Sequence, residues 1–589
     1  MKTLFYLSLT LAACRLSAQS IPAVPIVAQP IPAAPASQPV ALVTQRPASQ
    51  PAATLIRHLP PDACTIYHFN LPVLRTKLAL QQLTERIPLP QKNTYNRELA
   101  AILREPGRAG VDTTRDIFLT ETNGQGRDSL STTSLLVHLS DSARWSAFLR
   151  ELAPGLRTTS IAGQERMGSA WDNNLAILTF VRGIAHTISP AGTTNRAIRQ
   201  SQTLLQGFDD STSIHDPLFL TGFSDDADIH AWTDQGKLLF LLLQQLFHFD
   251  HTPTYPALTA PGCGKVHTLS ALRFEKGRLL LTNTLCLPPG IDSLYARLSA
   301  HPLPANLLAQ IPSGTLLGLI NLHFDPTAVP ALLEGLQARG RSEALLFDKG
   351  VSLESFARAF QGDFLFTAVQ PPTPIDTTNL TAPANPITSA NPTSPKTTIP
   401  PRPALYLATN LLDPSAFWSW ANHLKWLNPS TDPSGAGRVS TRNPLSKKLP
   451  AYKIKDSLLV IGSSPKRVAV WFDDSVASIP SDTLIISSTT YQGATSRAYP
   501  PRVSDASTLR RFRDCPISGW LDLKALTTSM RQRPPAERNP ALLSILSTLD
   551  LLTFTAGQLN AMGQLENTTE LTFANSEENS LRILFKLLQ

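Results

Sequence analysis

Three short groups of polar residues have types and spacings that chemistry could use. The first, His248-Phe249-Asp250-His251, resembles part of the His-x-His-x-Asp-His run of zinc-dependent hydrolases, but Leu246 stands where the first histidine would be. Two histidines and a carboxylate would need a further protein ligand to hold Zn²⁺. The run lies where an apolar helix is expected to pass into a loop. We interpret it as the polar end of that helix and expect no metal there.

The second group is Asp225-Asp226-Ala227-Asp228-Ile229-His230. Closely spaced carboxylates suit Ca²⁺, but a calcium-binding loop of the EF-hand type also needs a central glycine and a closing glutamate twelve positions along. Neither is present, so the pattern indicates a turn before a strand.

The third group, Ser463-Ser464-Pro465-Lys466, matches the Ser-x-x-Lys motif of penicillin-recognising enzymes, without their companion motifs. A simpler interpretation is a helix that Ser464 caps and Pro465 opens. The common nucleophile, zinc-protease and nucleotide-binding motifs are also missing from the sequence. We therefore predict no catalytic residues and no cofactor.

A basic run contains Arg438, Arg442, Lys447, Lys448, Lys453 and Lys455. It is typical of a solvated loop, and contact with anionic lipid headgroups or polysaccharide is the alternative. The whole chain of 589 residues has a net charge of only +8. Such a thin excess argues against a nucleic-acid partner.

The five cysteines are Cys14, Cys64, Cys263, Cys286 and Cys515. An even number remains once Cys14 is set aside, as expected in an oxidising compartment. A hairpin with its turn at Glu275-Lys276-Gly277 would bring Cys263 near Cys286, and we predict a disulfide between them. Two buried thiols are the alternative, and no pairing is assigned to Cys64 and Cys515.

The elements that would position these residues follow a pattern that occurs twice. The paired landmarks are Leu59-Pro60-Pro61-Asp62-Ala63 and Ile311-Pro312-Ser313-Gly314-Thr315; Asp116–Thr120 and Asp363–Thr367; Leu135–His138 with Asp141 and Trp145, and Leu405–Ala408 with Asp413 and Trp418; Ile229–Asp234 and Ile517–Asp522. An apolar helix candidate follows each member of the last pair, at Lys237–Phe249 and Ala541–Phe554. Landmarks in the same order predict tandem duplicated halves, 55–304 and 305–589.

Short loops between neighbouring strands, with helices that do not strictly alternate with them, favour an α+β fold. Each half is expected to hold mainly antiparallel sheets packed by helices. The second half also contains ten prolines within residues 371–403, which predicts a disordered Pro/Thr-rich insert.

Residues 1–18 have a basic start, an apolar stretch and small residues, which is typical of a secretory signal peptide. Leu11-Ala12-Ala13-Cys14 resembles a lipobox, in which Cys14 would become the lipidated first residue. Cleavage after Ala18 is the alternative. Residues 19–54 form a Pro/Ala-rich tether, which favours an extended, semi-rigid chain.

Several of these landmarks also resemble those of an uncharacterised family of bacterial envelope proteins, often lipoproteins. They are the Leu59-Pro60-x-Asp62-Ala63 opening strand, the Asp141-x3-Trp145 helix and the apolar strand after Trp171-Asp172. The resemblance covers most of residues 55–589 and implies a folded part that begins just past the export signal. It supplies no catalytic residues, and the long tether departs from the family pattern.

We therefore expect an exported, lipid-anchored protein of the cell envelope, on the periplasmic side or on the surface of the outer membrane. Its expected role is binding or scaffolding, with an envelope protein, a polysaccharide or a lipid as the ligand. Two alternatives stay open: a periplasmic hydrolase with a dispersed active site, and a soluble secreted or periplasmic binding protein.

Overall fold

The computed structural model describes residues 55–77, 106–122, 131–152, 166–182, 190–208, 219, 223, 226–234, 267–286, 291–298, 315–335, 353–370, 403–423, 427–428, 437–439, 451–455, 458–462, 515–534 and 538–587. These residues form one eighteen-stranded sheet against which helices pack. Neighbouring strands are antiparallel, as the α+β prediction required.

The strands in the first part of the chain are β1 (Ala63–Phe69), β2 (Ile117–Thr122), β3 (Ser131–His138), β4 (Arg166–Trp171), β5 (Leu175–Arg182), β6 (Ile229–Asp234), β7 (His267–Glu275) and β8 (Arg278–Leu285). Their pairings place them in the order β4-β5-β3-β2-β1-β6-β7-β8 across the sheet. The first strand in the chain, β1, therefore lies in the interior of the sheet, between β2 and β6.

The strands in the second part are β9 (Thr315–His323), β10 (Phe360–Gln370), β11 (Ala404–Leu411), β12 (Leu427–Asn428), β13 (Gly437–Val439), β14 (Ala451–Lys455), β15 (Leu458–Gly462), β16 (Ile517–Asp522), β17 (Leu549–Leu559) and β18 (Leu565–Phe573). Their order across the sheet is β12-β13-β14-β15-β11-β10-β9-β16-β17-β18. β18 pairs with β8 and joins the two sets of strands.

The described helices are α1 (Leu71–Lys77), α2 (Ser142–Leu152), α3 (Pro190–Gln206), α4 (Ile291–Leu298), α5 (Ala328–Gly335), α6 (Leu353–Ala359), α7 (Pro414–His423), α8 (Leu523–Arg531), α9 (Pro540–Ser547) and α10 (Ser580–Leu587). Within the described ranges, none of them has the length and apolar character that a membrane crossing requires.

Both faces of the first set of strands carry a hydrophobic core. On one face Phe118, Leu136 and Ile177 form a row across β2, β3 and β5, and they belong to a buried cluster that includes Trp232. Successive residues of a strand point to opposite faces, so the adjacent row lies on the other face, where it packs with Trp145 of α2. Burial on both faces explains why these strands are rich in apolar residues.

Helices α2 and α7 each begin at an aspartate that caps the first turn, and a buried aromatic residue follows at the same spacing. The Asp141 carboxylate accepts hydrogen bonds from the backbone N–H groups of Ala143 and Arg144, both at 3.0 Å, and so fixes the start of α2. Four residues after this cap, Trp145 is fully buried. The side chain therefore enters the core one helical turn after the aspartate.

The same arrangement occurs at α7, where the Asp413 carboxylate accepts hydrogen bonds from the N–H groups of Ser415 and Ala416. The buried aromatic residue four positions after this cap is Phe417. The sequence comparison placed Trp418 at this position, and that assignment was wrong by one residue. The fixed spacing from cap to core explains the difference, because it selects position 417.

The hairpin of β7 and β8 has its turn at the predicted place, with Gly277 at φ +65°. The predicted helix at Ala541–Phe554 is wrong in its second part. Helix α9 ends at Ser547, and β17 begins at Leu549 and pairs with both β16 and β18. The apolar run Leu549–Phe554 packs between two strands, a context that the sequence does not reveal.

Candidate functional site

A cluster of buried polar side chains lies at the centre of the first set of strands. It consists of His68 on β1, His230 on β6 and Asp116 just before β2, and we name it the first cluster. His68 pairs with His230 across the β1–β6 ladder. The three side chains lie on the same face as Phe118 and Trp232, and all three residues are buried. Polar groups are therefore held where an apolar core would be expected.

The two imidazole rings meet edge to edge. Nδ1 of His68 lies 3.0 Å from Nδ1 of His230, and the ring planes differ by only 13°. The ring centres are 5.3 Å apart, about as far as a nitrogen–nitrogen contact of that length permits. Both nitrogens therefore lie close to the line that joins the ring centres. This is the geometry of a linear N–H···N hydrogen bond, in which one nitrogen carries the proton and the other accepts it.

Asp116 lies at the other side of the His68 ring. Its Oδ2 is 3.3 Å from Nε2 of His68, close enough for an ion pair but without the alignment of a good hydrogen bond. When both rings are neutral, a proton on Nε2 of His68 faces this carboxylate, and the proton on Nδ1 of His230 fills the contact between the rings. The cluster is thus a chain of proton carriers that runs from Asp116 through His68 to His230.

Aromatic side chains surround the two histidines. Phe118 stacks on His68 with ring centres 4.7 Å apart, and Phe223 contacts both histidines edge-on at 5.4 and 5.3 Å. Such surroundings exclude water, which strengthens the hydrogen bond between the rings and penalises any charge without a partner. The first cluster is therefore sensitive to the number of protons it holds.

The second set of strands carries a comparable group, which we name the second cluster. Its members are Asp363 on β10, Asn321 and His323 on β9, and Ser518 on β16. Asp363 pairs with His323 across β9–β10, and Asn321 pairs with Ser518 across β9–β16. All four are buried. By position in the pairings, Asn321 corresponds to His68 and Ser518 corresponds to His230.

The second cluster contains a serine, a histidine and an aspartate, the residue types of a hydrolase triad. The Asn321 amide nitrogen, however, lies 3.2 Å from Nδ1 of His323 and 3.5 Å from Oγ of Ser518. As placed, the amide donates to that histidine nitrogen, so the nitrogen cannot take a proton from the serine. A hydrolase nucleophile must also be accessible, and Ser518 is buried. The arrangement is that of a structural hydrogen-bond network.

Asp226 and Asp228 lie directly before β6, and Asp225 lies outside the described residues, so the predicted turn stays a prediction. Oδ2 of Asp228 accepts hydrogen bonds from Nζ of Lys77 at 2.7 Å and from the N–H of Phe274 at 2.6 Å. Burial raises the pKa of Asp228, and the hydrogen bond from Lys77 only partly opposes this. Across the described ranges, no three histidine, cysteine or acidic side chains converge as metal ligands.

The tryptophans of the paired segments Ile229–Asp234 and Ile517–Asp522 are buried in hydrophobic clusters, Trp232 with the first-face core and Trp520 with Leu319 and Leu365. Arg438 lies on β13, and Lys453 and Lys455 lie on β14. Several predictions concern residues outside the described ranges: the signal peptide and tether in residues 1–54, the helix Lys237–Phe249 and the insert at 371–402. The single predicted residues outside the described ranges are Cys14, Asp225, His248, Asp250, His251, Cys263, Arg442, Lys447, Lys448, Ser463, Ser464, Pro465 and Lys466.

Of the two cysteines of the predicted disulfide, only Cys286 lies in the part of the chain that the structure describes. Cys286 follows β8, where its sulfur lies 3.5 Å from Nε2 of Gln564. Cys263 is outside the described residues, so the bridge stays a prediction.

Sequence reasoning missed the first cluster. His230 was considered only as a neighbour of Asp228, and its partner His68 lies 162 positions earlier in the chain. One signal was available: His68 and His230 are polar residues at core positions of otherwise apolar strands. Only the pairing of β1 with β6 shows that they meet. No known family model matches the chain, and neither a curated protein nor a solved structure is significantly similar to it.

Proposed function

We propose that this chain is an exported, lipid-anchored protein of the cell envelope that acts by binding or scaffolding rather than by catalysis. In this proposal two copies of an ancestral α+β unit are joined edge to edge, and the Pro/Ala-rich residues 19–54 tether them to a lipid on Cys14. The resemblance to envelope proteins at residues 59–63, which lead into β1, points the same way.

The observation that carries the architectural part is the strand order. We call the pairing of β8 with β18 the seam between the two sets. Counted from the opposite edge of the sheet toward the seam, the first set runs β4-β5-β3-β2-β1-β6-β7-β8. The second set runs β14-β15-β11-β10-β9-β16-β17-β18, with β12 and β13 added beyond β14. Each strand thus has a counterpart with the same neighbours. An order that departs so far from chain order is hard to reach twice by chance.

Residue registers agree with this strand order. Trp232 pairs with Ile66 in the first set, and Trp520 pairs with Leu319 in the second. The backbone N–H of the residue just after β1, Asn70, donates to the carbonyl of Asp228 at 3.0 Å.

In the second set, the N–H of His323 donates to the carbonyl of Pro516 at 2.8 Å. His323 and Pro516 occupy the positions that correspond to Asn70 and Asp228. A match at the level of single hydrogen bonds favours common descent over a coincidence of topology.

The seam between the two sets has a two-fold relation. His230 pairs with Ala271, which pairs with Thr282; by the same steps Ser518 leads through β17 to Thr568. Thr282 and Thr568 therefore correspond, and they pair with each other across β8 and β18. Two copies joined through equal edges make one continuous sheet. We infer that this sheet is a stiff platform suited to holding partners.

Analysis of the mature N-terminus tests the anchor. The chain is expressed with its leader in a bacterial host that processes lipoproteins, and the mature protein is examined by mass spectrometry and by incorporation of labelled fatty acid. We expect an acylated terminus at Cys14 and loss of the label in Cys14→Ala. Cys286→Ala is the matched control and should keep the label. An unmodified terminus at Gln19 would overturn the anchor.

A second measurement addresses catalysis. A covalent probe for active-site serines should leave the purified protein unlabelled, because the serine in the second cluster is buried and its histidine is occupied by an amide. Stoichiometric labelling that is lost in Ser518→Ala would favour the hydrolase alternative instead.

A further inference from the structure

We infer that the His68–His230 contact is an acid-sensitive latch, which holds β1 to β6 while the pair carries few protons and releases them in acid. The inference concerns regulation and goes beyond the proposed role. It rests on the collinear Nδ1–Nδ1 contact at 3.0 Å and on the burial of both rings.

The contact limits how many protons the pair can hold. With both rings neutral, one Nδ1 donates and the other accepts. One added proton is also tolerated, because a doubly protonated His68 can face Asp116 with Nε2 and donate to His230 with Nδ1. A second added proton puts two N–H groups and two positive charges head to head. The contact must then open.

Asp116 contacts the His68 end of the pair, and one carboxylate offsets one positive charge. The clash of two N–H groups across the Nδ1–Nδ1 contact does not depend on the other charges nearby. The carboxylate of Asp228, two residues before His230, is already bound by Lys77. Further charged or titratable groups lie on the strands packed around the pair or just before them. They are Cys64, Tyr67, Arg115, Glu121, His138, Asp226, Asp234, His267, Arg273 and Glu275.

The direction of the effect follows from proton linkage. The unfolded or locally opened chain can bind protons on both histidines, whereas the closed pair holds at most one extra. The open form therefore binds more protons in acid, so acid favours opening. Each additional proton bound by the open form changes the opening equilibrium about tenfold per pH unit.

The second set of strands provides an internal control. At the positions of His68 and His230 it has Asn321 and Ser518, so β9 and β16 do not bring two imidazole rings together. His323 beside Asn321 is a single histidine, which can gain a proton without meeting a second protonated ring. Acid is therefore expected to loosen β1–β6 more than β9–β16.

Hydrogen exchange read by mass spectrometry tests the latch on the full-length mature chain. Exchange is measured at about pH 7.5 and about pH 5.5, the range in which histidine charge changes, and rates are corrected for intrinsic chemistry. Peptides from β1 and β6 should lose more protection than peptides from β9 and β16, by at most about tenfold per pH unit for each additional proton that the open form binds. Parallel loss in both ladders would overturn the latch.

Substitution with the second-set residues gives the matched variant. His68→Asn combined with His230→Ser should remove the excess acid sensitivity of β1 and β6. If that variant does not fold, His230→Gln takes its place, because glutamine keeps polar contacts but binds no proton. Excess acid sensitivity that persists in the folded variant would contradict the inference.

Discussion

The Lys77 ammonium donates a 2.7 Å hydrogen bond to the buried carboxylate of Asp228, and this contact ties α1 to the start of β6. The same carboxylate oxygen accepts the N–H of Phe274, so α1, β6 and β7 meet at one atom. Lys77 keeps about a fifth of its side chain exposed, whereas Asp228 is fully buried. The desolvation free energy of the charged form is therefore smaller for Lys77 than for Asp228.

Lys77→Met should lower the free energy of unfolding by about 2–3 kcal/mol, because it leaves a buried carboxylate without its cation. The value lies below the range for a fully buried pair because Lys77 is partly exposed. Urea unfolding followed by tryptophan fluorescence measures the change. The double variant Lys77→Met/Asp228→Asn should recover most of the loss, and a double variant no better than the single one would contradict this account.

Asp228→Asn should gain stability relative to the native chain as the pH rises. Because burial raises the pKa of Asp228, the folded form takes up its proton at a higher pH than the unfolded chain does. The carboxyl's contribution to stability therefore falls as the pH rises through the folded-state pKa. Unfolding at about pH 4 and about pH 7 brackets the change. A difference between the two proteins that does not vary with pH would refute the assignment.

Gly168→Ala should destabilise the protein by about 2 kcal/mol or more, since added volume here meets backbone. A Cβ at position 168 would lie 2.5 Å from the carbonyl carbon of Ala197 and still closer to the N–H of Ile198, both in α3. Gly107 is the matched control, because a Cβ there meets nothing within 4 Å. Equal shifts of the two unfolding midpoints would disprove the close approach of α3 to β4.

The carboxyl group of Asp413, which caps α7, should have a pKa below its ordinary value. The Ser415 hydroxyl at 2.7 Å and two backbone N–H groups stabilise the carboxylate and lower the pKa of Asp413. Its contribution is present above the unfolded pKa and is lost as the pH falls through the folded one. Ser415→Ala should move the titration, followed by NMR, toward the ordinary value. Ser419→Ala on the same helix should leave it unchanged.

A chain that ends at residue 304 should pair with itself through β8. Without β18 the edge of β8 is open, and the two-fold relation at Thr282 and Thr568 allows a second β8 to take its place. Thr282→Cys in the shortened chain should give a disulfide-linked dimer under mild oxidation, and the full-length chain should not. Thr284→Cys, two residues from the axis, is the control and should cross-link poorly. A monomeric shortened chain would count against the copied-edge proposal.

Local signals gave much of the fold. The turn at residues 275–277 predicted the β7–β8 hairpin, and the Asp141-x3-Trp145 pattern predicted helix α2. The apolar run from Leu549 to Phe554 was wrongly predicted as helix, because helix and strand cannot be told apart in a short apolar segment. What decided between them was the pairing of this run with both β16 and β18.

The first cluster could not be predicted from local sequence. Its contacts depend on β1 pairing with β6, and nothing near His68 in the chain specifies that partner. A single histidine on a strand can find a hydrogen-bond partner in a core in many ways, so its presence does not indicate a particular partner. Only the assembled ladder shows that Nδ1 of His68 lies within hydrogen-bond distance of Nδ1 of His230 and that Asp116 contacts the other side of the His68 ring.

The interior position of β1 has a mechanical consequence. β1 is flanked on both sides, by β2 and by β6. A pull on the N-terminal side of β1 therefore loads two ladders at once. In the proposed anchored form, force on the lipid would be borne by the middle of the sheet, and the sheet should resist extraction until β1 separates from both neighbours along its whole length.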